Sequence, residues 1–178
     1  MEILQTERLI FRTWKVEDLA FANELWGDSD VMAFLNVDGS LDSNQVHEKL
    51  KNEISNQDKN NIQYWAVFEK ATSDFIGCCG LQPWNYSFRS GPELGFHIIK
   101  NKWGQGFATE AARGSVIYAF ETLGCSQLMA GHHPKNVNSK KVLMRLKFDF
   151  VEDVFFEATG LMHPSYELRR SDINTHSQ

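Results

Sequence analysis

The sequence predicts an α/β protein built on a mixed β-sheet. Three observations carry that reading. Strand-like runs with alternating or β-branched residues recur along the chain. Helical apolar spacing falls between several of them. At the centre, ELGFHIIKNKWGQGFATEAARGSVIYAFETL from Glu93 to Leu123 reads as a strand, a glycine-bearing turn and a helix.

Arg8–Trp14 alternates and predicts an opening strand. Asp18–Trp26 predicts a helix, with Leu19, Phe21, Ala22 and Leu25 apolar. Gly27-Asp28-Ser29-Asp30 punctuates it, Val31–Leu35 makes a short helical turn, and residues 36–43 form a loop. Residues 44–56 are polar, with Val46, Leu50 and Ile54 at every fourth position. So thin a stripe predicts a surface helix, followed by a polar loop over 56–61. Tyr64–Glu69 and Phe75–Leu81 are strands around a turn at 70–74, and 82–91 is a long aromatic loop.

In the central unit Glu93–Ile99 is the strand. Ala108, Ala111, Ala112, Val116, Ala119, Phe120 and Leu123 mark the helix, with Gly124 where a C-cap is expected. Gln127–His132 is a short strand, and Asn136–Leu146 a helix with Val142, Leu143 and Leu146 inward. Phe150–Ala158 and Leu161–Arg169 close the chain as a hairpin around Thr159-Gly160. No repeat or linker divides it, so residues 1–178 read as a single domain.

Composition narrows the function. Hydrophobic residues are 42% and aromatics 12%, enough for a sizeable core. The net charge of −5 argues against a nucleic-acid partner, since a general binder carries a basic face. No apolar run approaches the ~18 residues of a membrane helix. The start, MEILQTERL, is charged early and lacks a secretory apolar segment. A cytoplasmic protein with no membrane partner, monomer or homodimer, is the expectation. Cys78 and Cys79 are neighbours on a strand and face opposite ways. With Cys125 they make an odd number without CxxC spacing, and read as core thiols in a reducing compartment.

The central turn has a chemical use. Gly104 and Gly106 let a ligand approach the backbone. The first N–H groups of the following helix have no helical partner and, with the dipole behind them, favour an anion. A phosphate or pyrophosphate is the natural guest. The turn lacks the Lys-Ser/Thr pair of a Walker loop and the third glycine of the dinucleotide fingerprint. A turn that merely needs glycine is the alternative.

WGQGFATEA after the strand ELGFHI resembles the pyrophosphate loop of the GCN5-related N-acetyltransferase (GNAT) superfamily. Within it, the sequence looks like the RimJ/RimL branch, which acetylates ribosomal-protein N-termini. TERLIFRTW, NVNSKKVLMRLKFDF and HPSYELRRSD match in the family's order, so the resemblance covers nearly all of residues 2–172. It implies the acyl-CoA N-acyltransferase fold: a mostly antiparallel sheet flanked by helices, in which the strands at 93–99 and 127–132 run parallel and splay apart. That gap admits the pantetheine arm of acetyl-CoA, the expected cosubstrate, along His97, Ile98 and Ile99, with an ordinary core-edge histidine the alternative for His97. Acetyl transfer to an amine needs no metal, and no sequence cluster suggests one.

The resemblance also assigns roles. Gln105, Gly106, Phe107, Ala108 and Thr109 are expected to hold the pyrophosphate through backbone groups. Glu93 is the expected general base, a strand carboxylate whose pKa an apolar sheet would raise; pairing with an arginine or exposure to solvent is the alternative. Glu110, in the first helical turn, reads as structural. Asn136 and Ser139 match the family's N-x-x-S motif, Asn136 toward pantetheine and Ser139 toward the thioester sulfur; N-capping is a compatible role. Where many relatives place a tyrosine acid this chain has Leu143, with Tyr166 a distant substitute. Lys147 stands where the family usually has glycine. Lys140 and Lys141 could reach the 3′-phosphate or simply face solvent. Trp84 and Tyr86, with Phe88, could wall the acceptor pocket or pack as a lid; at most one of His132 and His133 looks into the cleft, and His133 is the one expected to meet the acceptor.

Two functions follow. The first is an N-acetyltransferase moving acetyl from acetyl-CoA to a primary amine, on a protein N-terminus or a small molecule, by direct attack in a ternary complex. The alternative is a non-catalytic acyl-CoA-binding sensor.

Overall fold

A computed structural model describes residues 1–83 and 91–174. The chain opens with a hairpin rather than one strand: β1 (Glu2–Gln5) pairs antiparallel with β2 (Leu9–Arg12). Helices α1 (Leu19–Trp26), α2 (Ser29–Met32) and α3 (Ser43–Asn60) follow. Antiparallel strands β3 (Tyr64–Glu69), β4 (Phe75–Pro83) and β5 (Pro92–Ile98) lead to α4 (Phe107–Glu121) and β6 (Gln127–Gly131). Then come α5 (Val137–Arg145), β7 (Asp149–Phe156), β8 (Leu161–Arg169) and the short α6 (Arg170–Asn174). The eight strands form one sheet in the order β1-β2-β3-β4-β5-β6-β8-β7.

The polar loop expected at 56–61 is instead the end of α3. Asp42 accepts the Asn44 and Gln45 amides in a capping box at its start, and Asn61 closes it in the left-handed region at φ 56°. Side chains that read as loop-like carry the last turns: Gln57 accepts the Trp65 indole N–H at 3.0 Å. Gln82 and Pro83 likewise extend β4, opposite Glu93 and Pro92.

The sheet separates two cores. Leu94 and Ile98 face α4 and α5, packing with Phe107, Ala111, Val116, Leu128 and Leu143. On the other face Trp14, Trp26, Val46, Leu50 and Tyr64 pack beneath α1 to α3. Cys79 belongs to the first core and Cys78 to the second, as the strand alternation requires.

Among the described residues the sheet has one parallel contact, β5 with β6, and it positions the site. Its register holds at a single pair, Glu93 opposite Met129. All other neighbouring strands run antiparallel. This is the mixed, splayed sheet that the resemblance implies.

Candidate active site

The turn before α4 exposes consecutive backbone N–H groups, an arrangement that suits an anion. Gly106 is its N-cap at φ 85° and Gly104 lies at φ 76°, both in the left-handed region glycine tolerates. Among the described residues no side chain caps the helix. Glu110 N–H closes the first helical bond, onto Gly106 O at 3.1 Å. Among the described residues the amides of Gln105, Gly106, Phe107, Ala108 and Thr109 therefore have no acceptor, and they converge with the helix dipole. Diphosphate fits this set. Trp103 anchors the turn by donating its indole N–H to Ile98 O at 2.7 Å, at the end of β5.

Glu110 does not face this cradle as an open carboxylate. It accepts Thr6 Oγ1 at 2.6 Å, the Arg8 amide at 2.8 Å and Arg8 Nε at 2.6 Å. These bonds hold its pKa down despite partial burial and tie the β1–β2 turn to the start of α4.

Glu93, Gly95 and His97 alternate onto the α1–α3 face of β5. Glu93 is half-buried and makes no hydrogen bond or ion pair with the described residues. Burial pushes its carboxyl up to about 7, with Lys49 opposing the rise. Gly95 makes room for the Tyr64 ring, which a Cβ would strike. His97 Nδ1 accepts the Trp26 indole N–H at 3.1 Å, which places its proton on Nε2. Burial first, then Lys49, lowers its pKa to about 3, so the ring is neutral. Its side chain serves the α1–α3 core, so any donor contact falls to its backbone. The next two backbones differ. Ile99 is committed on both groups, donating to Ile76 O and accepting from Lys102, each at 3.0 Å. The Ile98 carbonyl is taken by Trp103.

A polar wall missed in the sequence stands beside Glu93. Glu53 of α3 is 1% exposed. It accepts the Tyr64 amide at 2.9 Å and Gln82 Nε2 at 2.7 Å, and lies 3.7 Å from Lys49 Nζ. Gln82 is the cross-strand neighbour of Glu93. Lys49 also sits 4.9 Å from the Trp26 ring centroid. Burial raises the Glu53 pKa, against Lys49 and these hydrogen bonds. One signal was available: Val46, Leu50 and Glu53 fall at i, i+4 and i+7 on one helical face.

At the far side of the gap, Asn136 caps α5, its side chain accepting the Ser139 amide at 3.0 Å. Ser139 shares the helix face of the buried Leu143, while Lys141 is exposed. His132, buried at the end of β6, bonds Tyr166 Oη at 3.1 Å through Nε2 and the His133 carbonyl through Nδ1 at 2.8 Å. A carbonyl only accepts, so Nδ1 carries the proton and Tyr166 donates to Nε2. The Tyr166 proton is thus already committed. His133 lies between Phe34 and His163, with ring centroids 5.2 and 5.4 Å away, on the side of the α2 loop. Trp84, Tyr86 and Phe88 lie outside the described residues.

Comparison with known proteins identifies the family. Residues 8–149 match the family model of the acetyltransferase (GNAT) domain. The chain is 31% identical over 150 residues, 83% of each protein, to an uncharacterized N-acetyltransferase, p20, of Bacillus licheniformis. Solved structures share the fold, two of them described with CoA. RimJ of Mycobacterium smegmatis in complex with CoA-disulfide has a TM-score of 0.77 at 14% identity, covering 93% of this chain and 83% of that one. Spermidine N-acetyltransferase of Vibrio cholerae, in complex with CoA and spermine, has a TM-score of 0.75 at 18% identity, covering 93% and 98%. The chain belongs to the GNAT acetyltransferase family and is an acyltransferase enzyme.

Proposed function

We propose that this enzyme transfers acetyl from acetyl-CoA to a primary amine by direct attack in a ternary complex. The observation that carries the reading is the position and state of Glu93. Among the described residues it is a carboxyl with no hydrogen-bond or ion-pair partner, its pKa is near neutrality, and it stands at the parallel contact of β5 with β6, on the opposite face of the sheet from α4. In this reading the amides of Gln105–Thr109 hold the diphosphate, and the unpaired edge of β5 beyond Glu93 guides the pantetheine arm. Glu93 takes the proton released as the amine nitrogen bonds to the acetyl carbon. The carbon–sulfur bond then breaks, and Ser139 Oγ hydrogen-bonds the leaving thiolate. Asn136 holds the start of α5 so that Ser139 faces the gap. Neither cysteine of β4 serves as an acyl carrier: Cys78 and Cys79 are fully buried, and burial pushes the Cys79 thiol up to about 12.

The acceptor enters from the α1–α3 face. There Glu93 and His133 line its approach, with the buried Glu53 behind Glu93 through Gln82. A protein N-terminus, as in the RimJ/RimL branch, and a polyamine both suit this reading. The fold similarity to RimJ and to a spermidine acetyltransferase supports the choice of these two classes.

Calorimetric titration with acetyl-CoA tests the donor site. Micromolar binding is expected, and Gly106→Glu abolishes it, because its side chain enters the cradle. Glu93→Gln lowers turnover more than tenfold and leaves acetyl-CoA affinity unchanged. Turnover of the wild type rises with pH through the Glu93 value of about 7. Undiminished turnover in Glu93→Gln removes the assignment of the base.

A further inference from the structure

We propose that Arg8, from the turn between β1 and β2, binds the diphosphate of the donor together with the α4 amides. The inference rests on reading residues 105–109 as the donor cradle. It adds a residue 97 positions away in sequence, joined to that loop by Arg8 Nη1 donating to Gln105 O at 3.2 Å.

The guanidinium is held on three sides. Nε donates to Glu110 Oε2 at 2.6 Å, Nη1 donates to Gln105 O, and the group lies 4.4 Å over the Phe107 ring centroid. Its remaining edge has no acceptor among the described residues. Nη2 lies 3.5 Å from where a Cβ on Gly106 would stand. The free N–H groups are thus fixed at the rim of the cradle, in the planar geometry that matches phosphate oxygens.

The lysines of the same loop are committed elsewhere. Lys102 bonds Asp74 at 2.7 Å and Glu69 at 3.1 Å, and Lys100 bonds Asp30 at 2.6 Å. Glu110 adds a reason for the arginine. A carboxylate in the first turn of α4 repels a diphosphate at the helix start, and Arg8 neutralises it while presenting donors outward.

The test is calorimetric titration of the full chain with CoA and with dephospho-CoA, which keeps the diphosphate and lacks the 3′-phosphate. Arg8→Gln is expected to weaken both about 10- to 100-fold, the range of a charged hydrogen-bonding pair, and to lower the salt dependence of binding. Arg8→Lys keeps the charge without the two-pronged geometry. It falls between and supplies a folded variant if Arg8→Gln does not fold. Adding Glu110→Gln to Arg8→Gln leaves most of the loss in place. Unchanged affinity, weakening of CoA alone, or full recovery in the double variant overturns the proposal. Failure of the folded wild type to bind either ligand would instead overturn the donor reading of the loop itself.

Discussion

Glu93→Gln should stabilise the protein at alkaline pH while disabling it. Glu93 has an ordinary value of 4.5 and stands at about 7 in the folded chain, because burial disfavours its charged form. A raised carboxyl is more protonated folded than unfolded between those values. Stability is therefore lost as pH rises through that window, and the loss is complete above the folded value. The interval corresponds to up to about 3 kcal/mol. Glutamine matches the protonated acid in shape and cannot ionise. The variant should match the wild type near pH 4 and exceed it by up to about 3 kcal/mol above pH 8, a rise of roughly 6–12 °C in Tm for a chain of this size. Urea denaturation at a series of pH values measures the difference directly. Glu53 also has a raised pKa, but it is present in both proteins and cancels. A difference that stays flat with pH would mean that Glu93 ionises freely, and a base poised near neutrality would go with it.

Two further predictions concern packing. Lys147 occupies φ 67° at the end of α5, where its amide bonds Met144 O at 3.2 Å and the Phe148 amide bonds Leu143 O at 3.1 Å. This is a Schellman end with a lysine in the glycine position, so Lys147→Gly should raise stability by about 1 kcal/mol; a thermal scan showing a lower Tm would refute it. Glu53→Leu keeps the volume but leaves the Tyr64 amide without its acceptor and Lys49 without its counter-charge. It should cost about 3 kcal/mol or more, and a urea midpoint within the error of wild type would show the buried carboxyl to be dispensable.

The legible and illegible parts of the chain differ in a physical way. The strand, turn and helix from Glu93 to Leu123 could be read because neighbouring residues decide them: β-branching, the positive φ of Gly106 and the apolar spacing of α4 are local. The opening strand β1 was missed, since four residues with two exposed ends carry too little alternation to mark a strand. The last turn of α3 read as loop because its residues are polar, and their partners are set by tertiary contact, as Gln57 with Trp65 shows. Glu53 is the sharpest case. Its composition says surface, yet Tyr64 and Gln82 make burial tolerable. The Lys147 anomaly was visible as a departure from glycine, and the backbone resolved it by taking the left-handed conformation.

The same division runs through the site. An anion can be held by consecutive amides at one helix start, so a single segment of sequence is enough to announce the donor half. The acceptor half cannot be announced that way. In the proposed reading its base comes from β5, the polar wall beside that base from α3 and β4, and His133 from beyond β6. Arg8 belongs with this second group although it serves the first. It reaches the cradle only because β1 and β2 pack against α4, with Glu110 receiving it. Substitutions at Lys49, Glu53 and His133 should accordingly move acceptor KM with little change in acetyl-CoA affinity. Equal movement of both would mean that the two halves are not separable in this enzyme.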